Sequence, residues 1–183
     1  IAHADQALEN FPNQGLFCFF SGSAHLIKRH YQQAVDALEE AQKLTSENKE
    51  LQGAILAQLG DAYNGLGEHT KSDESYEASL KINPANDNVL NNYSYFLSLR
   101  KEKLDRAKEM AAAVITRNPT NATYLDTYAW VLYVMKDYKN ARTNLEKAIE
   151  SGKNVSGTIV EHYGDVLYQL GEREKAVEQW KKA

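Results

Sequence analysis

The stretch that decides the fold is LGDAYNGLGEHTKSDESYEASLKINP, residues 59–84, because two later stretches repeat its layout. These are YAWVLYVMKDYKNARTNLEKAIESG, residues 128–152, and YGDVLYQLGEREKAVEQWKKA, residues 163–183. Each opens on a large residue followed by a small one: Leu59–Gly60, Tyr128–Ala129 and Tyr163–Gly164. Self-similarity of this kind marks a repeat architecture and has to be tested before any local reading. Apolar positions recur at helical spacing, as in Ala141, Leu145 and Ala148. Turns are expected at Gly67–Glu68, Lys136–Asp137 and Gly171–Glu172, where glycine can end the first helix of a pair. Asn83–Pro84 and Asn118–Pro119 end second helices, since the residue before proline avoids the helical region. Small residues such as Gly60, Ala129, Gly164, Ala141 and Ala176 let two helices cross closely, with Tyr63, Leu132, Tyr76 and Trp180 filling the space beside them.

The alternation of large, small and aromatic residues over a unit of about 34 residues resembles the tetratricopeptide-repeat family. The register is fullest over residues 53–86, with Leu56, Leu59, Gly60, Tyr63, Ser72, Tyr76, Ser79 and Pro84 in place. Residues 87–121 follow with Leu90, Tyr93, Ser94, Leu97, Ala107, Ala111, Val114 and Pro119, and require one extra residue near Arg100–Lys103. Residues 122–156 carry Leu125, Tyr128, Ala129, Leu132, Ala141, Leu145 and Ala148, with Lys153 in the place of proline. Residues 157–183 read as a truncated unit with Val160, Tyr163, Gly164, Leu167, Ala176 and Trp180. Residues 15–52 form a degenerate unit, with Ser21 where a large apolar residue belongs and an extended linker around Thr45–Gln52. Residues 1–14, with Ala7 and Pro12, read as the end of a preceding second helix, so the chain is expected to begin inside a repeat. The resemblance implies an all-α fold, a right-handed superhelix (α-solenoid) of about five antiparallel helix-turn-helix repeats. One hairpin cannot bury its apolar face alone, so the units have to stack.

The resemblance also implies that the first helix of each hairpin lines a concave groove. The groove positions include Asp61 and Asn64, Asn91 and Tyr95, Asp126, Trp130 and Tyr133, and Glu161, Asp165 and Tyr168. Acids and aromatics interleave there, and lysine and arginine are missing from these positions. Such a groove suits a protein or peptide partner carrying basic and apolar residues, held as an extended segment or a helix. The competing reading is that the tyrosines and Trp130 pack between neighbouring first helices. The family's clamp for acidic chaperone tails needs basic residues where this chain has Ala57, Asp61, Asn91, Tyr95, Asp126 and Trp130, so that function is not expected. In the first unit the equivalent residues Leu16, Phe19, Leu26 and Ile27 are apolar, a surface that asks for a cover.

Chemistry finds little footing. Net charge is −4, against a nucleic-acid binder, which neutralises phosphates with clustered cations. Cys18 is the sole cysteine, and the histidines (His3, His25, His30, His69, His162) show no metal-ligand spacing. No apolar run reaches the length of a membrane span. Ser98–Lys101 matches a Ser-x-x-Lys string without its companion motifs, and His162 reads as a packed or solvated side chain rather than a base. A binding scaffold with no catalytic activity and no cofactor is therefore expected. The rival readings are an assembly module that pairs as a homodimer through an exposed Ala176, Val177 and Trp180 face, and the binding domain of a larger enzyme. YLDTYAW, residues 124–130, and IVEHYGDVLYQLGE, residues 159–172, are also similar to bacterial repeat proteins, some of them periplasmic or outer-membrane-associated.

Overall fold

The computed structural model describes residues 15–152 and 155–183; the notional preceding helix in residues 1–14 and the position of Lys153 lie outside the described residues. Among the described residues the secondary structure is all α-helix. In chain order the helices are α1 (Gly15–Ile27), α2 (Tyr31–Leu44), α3 (Lys49–Leu66), α4 (His69–Ile82), α5 (Asp87–Arg100), α6 (Leu104–Arg117), α7 (Ala122–Val134), α8 (Tyr138–Glu150), α9 (Gly157–Gln169) and α10 (Arg173–Trp180). They form an α-solenoid of helix-turn-helix units, in two compact sections, Ile1–Val89 and Leu90–Ala183.

Both helix ends are written in local chemistry. Asn48, Asn121 and Ser156 cap α3, α7 and α9, their side-chain oxygens accepting from Leu51, Tyr124 and Ile159 N–H at 3.0, 3.2 and 3.4 Å. At the other end, every turn inside a hairpin closes on a left-handed residue: Arg29, Gly67, Lys101, Lys136 and Gly171, with φ of 60, 78, 58, 65 and 86°. The next N–H reaches back five residues, as from Glu68 to the Tyr63 carbonyl at 2.9 Å and from Asp137 to Leu132 at 2.9 Å. This is the Schellman closure, which satisfies orphan carbonyls. Four of these turns start the next helix two residues later; after Lys101 it starts one residue further on, and Lys103 takes up the extra residue with φ of 44°.

The first section is sealed by Cys18, Ala34, Val35, Leu38, Ala41, Ile55, Leu59, Ala62 and Tyr63. Its α3–α4 hairpin is close because a Cβ on Gly60 would lie 2.6 Å from the Tyr76 ring. Serines occupy the small positions of α4, and each finds a partner across the hairpin. Ser72 Oγ donates to the Gly60 carbonyl and Ser79 Oγ to the Gly53 carbonyl, both at 2.8 Å. The Tyr63 hydroxyl donates to Glu39 at 2.5 Å, and burial together with that carboxylate pushes the phenol well above its ordinary range. On α1, Leu16, Phe20 and Ile27 stay exposed while Phe19 and Leu26 pack on the core.

The second section is built in the same way around Ala122, Leu125, Ala129, Leu132, Ala141, Leu145, Ala148, Ile159 and Val166. A Cβ on Gly164 would meet the Trp180 ring at 2.5 Å, so α9 and α10 cross as α3 and α4 do. This corrects the expected end face. Ala176 is fully buried by that close crossing, and Val177 and Trp180 alone of the three are exposed. Arg142 on α8 ties the last hairpins together, pairing with Glu146 at 2.7 Å and with Glu172 at 2.6 Å.

Candidate functional site

In the second section the first helices α5, α7 and α9 bring the expected groove residues into two depressions. The polar one, about 280 Å³, is lined by Asn91, Asn92 and Tyr95 of α5, Thr123, Asp126 and Thr127 of α7, and Ser156, Thr158 and Ile159 at the start of α9. The aromatic one, about 350 Å³, is lined by Ser98, Leu99 and Lys101, by Trp130, Tyr133, Val134 and Lys136, and by Tyr138.

A buried chain of contacts joins them. Asp126, on the polar side, lies with Oδ1 2.8 Å from Nδ1 of His162. The His162 ring stacks on Trp130, centroids 4.0 Å apart and planes at 20°. Trp130 stacks in turn on Tyr133 at 4.8 Å and 16°, and Tyr133 meets Tyr138 at 5.5 Å. Asp126 and His162 are 9 % and 7 % exposed, so this carboxylate is committed to an internal partner rather than held out in solvent. Trp130 and Tyr133 are half-buried: one ring surface packs between helices and another lines the depression. The indole N–H of Trp130 is enclosed and has no acceptor among the described residues.

The other acids divide. Asp165 accepts from the Trp180 indole N–H at 3.0 Å, and Asp61, in the first section, accepts from the Tyr76 hydroxyl. Burial raises the Asp165 pKa, against the lowering effect of the Trp180 bond and of His162. Glu161 alone of the four is exposed. The Tyr95 phenol is pushed up by burial first, and then by the carboxylates of Asp126 and Glu161. Asn91 is 7 % exposed, and its amide nitrogen donates to Asn92 Oδ1 at 3.3 Å. Tyr168 is exposed beside Trp180 and Arg173 rather than in either depression. Asn64 is half-buried on α3, and a Cβ at the neighbouring Gly65 would strike the Tyr31 ring at 2.4 Å.

Sequence reasoning passed over His162 as a partner for Asp126 and the two lysines at the aromatic depression. The 36-residue separation of His162 from Asp126 carries no local signal. Lys136 is visible in the sequence only as a turn residue, and Lys101 only as the end of the Ser-x-x-Lys string. Ser98 is fully buried and its hydroxyl donates to the Tyr95 carbonyl at 2.6 Å, which accounts for it without chemistry. Among the described residues no group of three His, Cys, Asp or Glu is placed to hold a metal ion. Among the described residues no helix is long and apolar enough to cross a membrane.

Residues 54–86 match the family model described as tetratricopeptide repeat. That segment is a tetratricopeptide repeat, and the other hairpins share its helical layout. No curated protein matches it. The fold is similar to that of MamA 41-end from Desulfovibrio magneticus RS-1, at TM-score 0.74 and 17% identity, over 92% of both chains. It is similar also to a structure from the functional characterization of Pseudomonas aeruginosa pilF, at TM-score 0.75 and 22% identity, over 98% of this chain and 76% of that one. A third, MamA AMB-1, aligns at TM-score 0.71 and 23% identity, over 90% of this chain and 94% of its own. At these identities the likeness is one of fold. Tetratricopeptide-repeat proteins are typically non-enzymatic scaffolds that bind proteins or peptides, and the fold found here is of that kind.

Proposed function

We propose that this protein is an interaction scaffold whose last three first helices, α5, α7 and α9, hold an extended peptide or a partner helix. The observation that supports this reading is the pair of depressions joined through Asp126, His162 and Trp130. Half-buried aromatics already fixed by packing offer contact area at low entropic cost. The Asn91 amide and the Tyr95 hydroxyl can pair with a peptide backbone, and exposed Glu161 can meet a basic side chain. Asp126 and Asp165 serve by shaping the site, since their oxygens are already bonded within the fold.

The test compares wild type with a Trp130→Ala, Tyr133→Ala double variant and with Tyr95→Ala, Glu161→Lys. Both capture partners from source-cell lysate, with helical circular dichroism as the control. A partner whose mapped segment binds wild type and is lost from both variants supports the site. Equal retention by all three proteins would remove binding from this face. Exposed Val177 and Trp180 on α10 support a second reading, self-association through that face. Light scattering of a Val177→Glu, Trp180→Glu variant separates the two.

A further inference from the structure

The groove positions read from the sequence contain no cation, yet the aromatic depression is flanked by two. Lys101 and Lys136 line it, both are exposed, and neither has a carboxylate partner among the described residues. Each occupies the left-handed residue that closes a first helix, with φ of 58 and 65°, so the backbone directs both at one end of the site. The carboxylates next to them in sequence are engaged elsewhere. Glu102 pairs with Arg100 at 3.1 Å, and Asp137 accepts from the Asn140 side-chain nitrogen at 2.8 Å while capping α8. Between the lysines lie the Trp130 and Tyr133 rings, Val134 and half-exposed Leu99.

We propose that this depression is a subsite for an apolar side chain followed directly by an aspartate or glutamate in an internal stretch of the bound peptide. The apolar group enters between Leu99, Trp130, Tyr133 and Val134, where it leaves water against apolar side chains. The carboxylate meets Lys101 and Lys136, whose charges no acid among the described residues neutralises. The inference rests on the scaffold reading above. It adds an acidic residue to the basic and apolar partner that the groove acids suggest, because three of those four acids are bonded inside the fold and these two lysines are not.

The experiment titrates the full chain with acetylated, amidated Gly–Ser peptides bearing a central Phe-Glu-Leu-Asp, Phe-Gln-Leu-Asn or Phe-Lys-Leu-Lys block. Binding is followed by the indole N–H resonances in ¹⁵N spectra, with the Trp130 signal assigned by its absence in Trp130→Phe. A Gly–Ser peptide with a free C-terminal Phe carboxylate tests the other source of the same charge. The acidic block is expected to bind best, to shift the Trp130 signal, and to lose about tenfold in affinity in Lys101→Gln, Lys136→Gln. Preference for the neutral or basic block, or for the free C-terminus over the internal acid, overturns the proposal while leaving the scaffold reading standing. An acidic block that binds equally to the lysine variant also overturns it. If no peptide of any class moves the Trp130 signal, both this proposal and the scaffold reading fail together.

Discussion

Nδ1 of His162 stands 2.8 Å from Oδ1 of Asp126, with both side chains buried between α9 and α7 and the imidazole stacked on Trp130. One hydrogen bond thereby fixes the histidine ring that supports the aromatic depression. Removing either partner leaves the other buried and unpaired, which costs more than the bond is worth. Asp126→Ala and His162→Ala are each expected to lose about 2–3 kcal/mol in urea denaturation. The double variant should lose less than the sum, by about 1–2 kcal/mol. Strict additivity would mean the pair does not act as a unit.

The left-handed turn residues make a second prediction. A non-glycine residue there costs roughly 1–2 kcal/mol, and glycine returns part of this through its greater freedom in the unfolded chain. Arg29→Gly and Lys136→Gly should therefore raise stability by about 0.5–1 kcal/mol each, while Gly171→Lys should lower it. Midpoints of chemical denaturation read this directly. A destabilised Lys136→Gly would show that the side chain contributes packing that the backbone strain hides.

Gly60 and Gly164 face Tyr76 and Trp180 so closely that a Cβ would lie 2.6 and 2.5 Å from the rings. Gly60→Ala and Gly164→Ala are expected to cost about 1–3 kcal/mol by overpacking. Trimming the neighbour should restore the loss, as in Gly164→Ala combined with Trp180→Leu, because Ala129 opposite Leu145 already forms such a pair in the preceding hairpin. Failure of that rescue would locate the strain in the backbone instead.

Burial raises the Asp165 pKa from its ordinary 3.8, so the native state binds this proton more tightly than the unfolded chain. The contribution is then present below 3.8 and is lost as pH rises through the raised value. Asp165→Asn keeps an oxygen for the Trp180 N–H and removes the titration. Its stability should match wild type in acid and exceed it near neutrality, measured by urea titrations stepped across the acid range. A variant that is less stable than wild type at neutral pH would mean the Trp180 bond needs the charge.

The chain's own residues specify the hairpins. Pairs such as Leu59–Gly60 and Tyr163–Gly164 and the turn at Gly67 act within one or two helical turns, so they are legible in the sequence. Even the extra residue near Arg100–Lys103 shows up as a break in period, and the turn absorbs it at Lys103. The fate of each groove side chain is not legible in that way. Asp61, Asp126 and Asp165 read alike as exposed acids, yet each is bonded by a residue on another helix: Tyr76, His162 and Trp180. Lys136 reads as a turn residue and Lys101 as the end of a chance string, and both become exposed cations beside Trp130. Sequence periodicity fixes which face of a helix a residue occupies. What that residue meets there depends on side chains tens of residues away, and their reach and hydrogen-bonding capacity are expressed only once the helices are stacked.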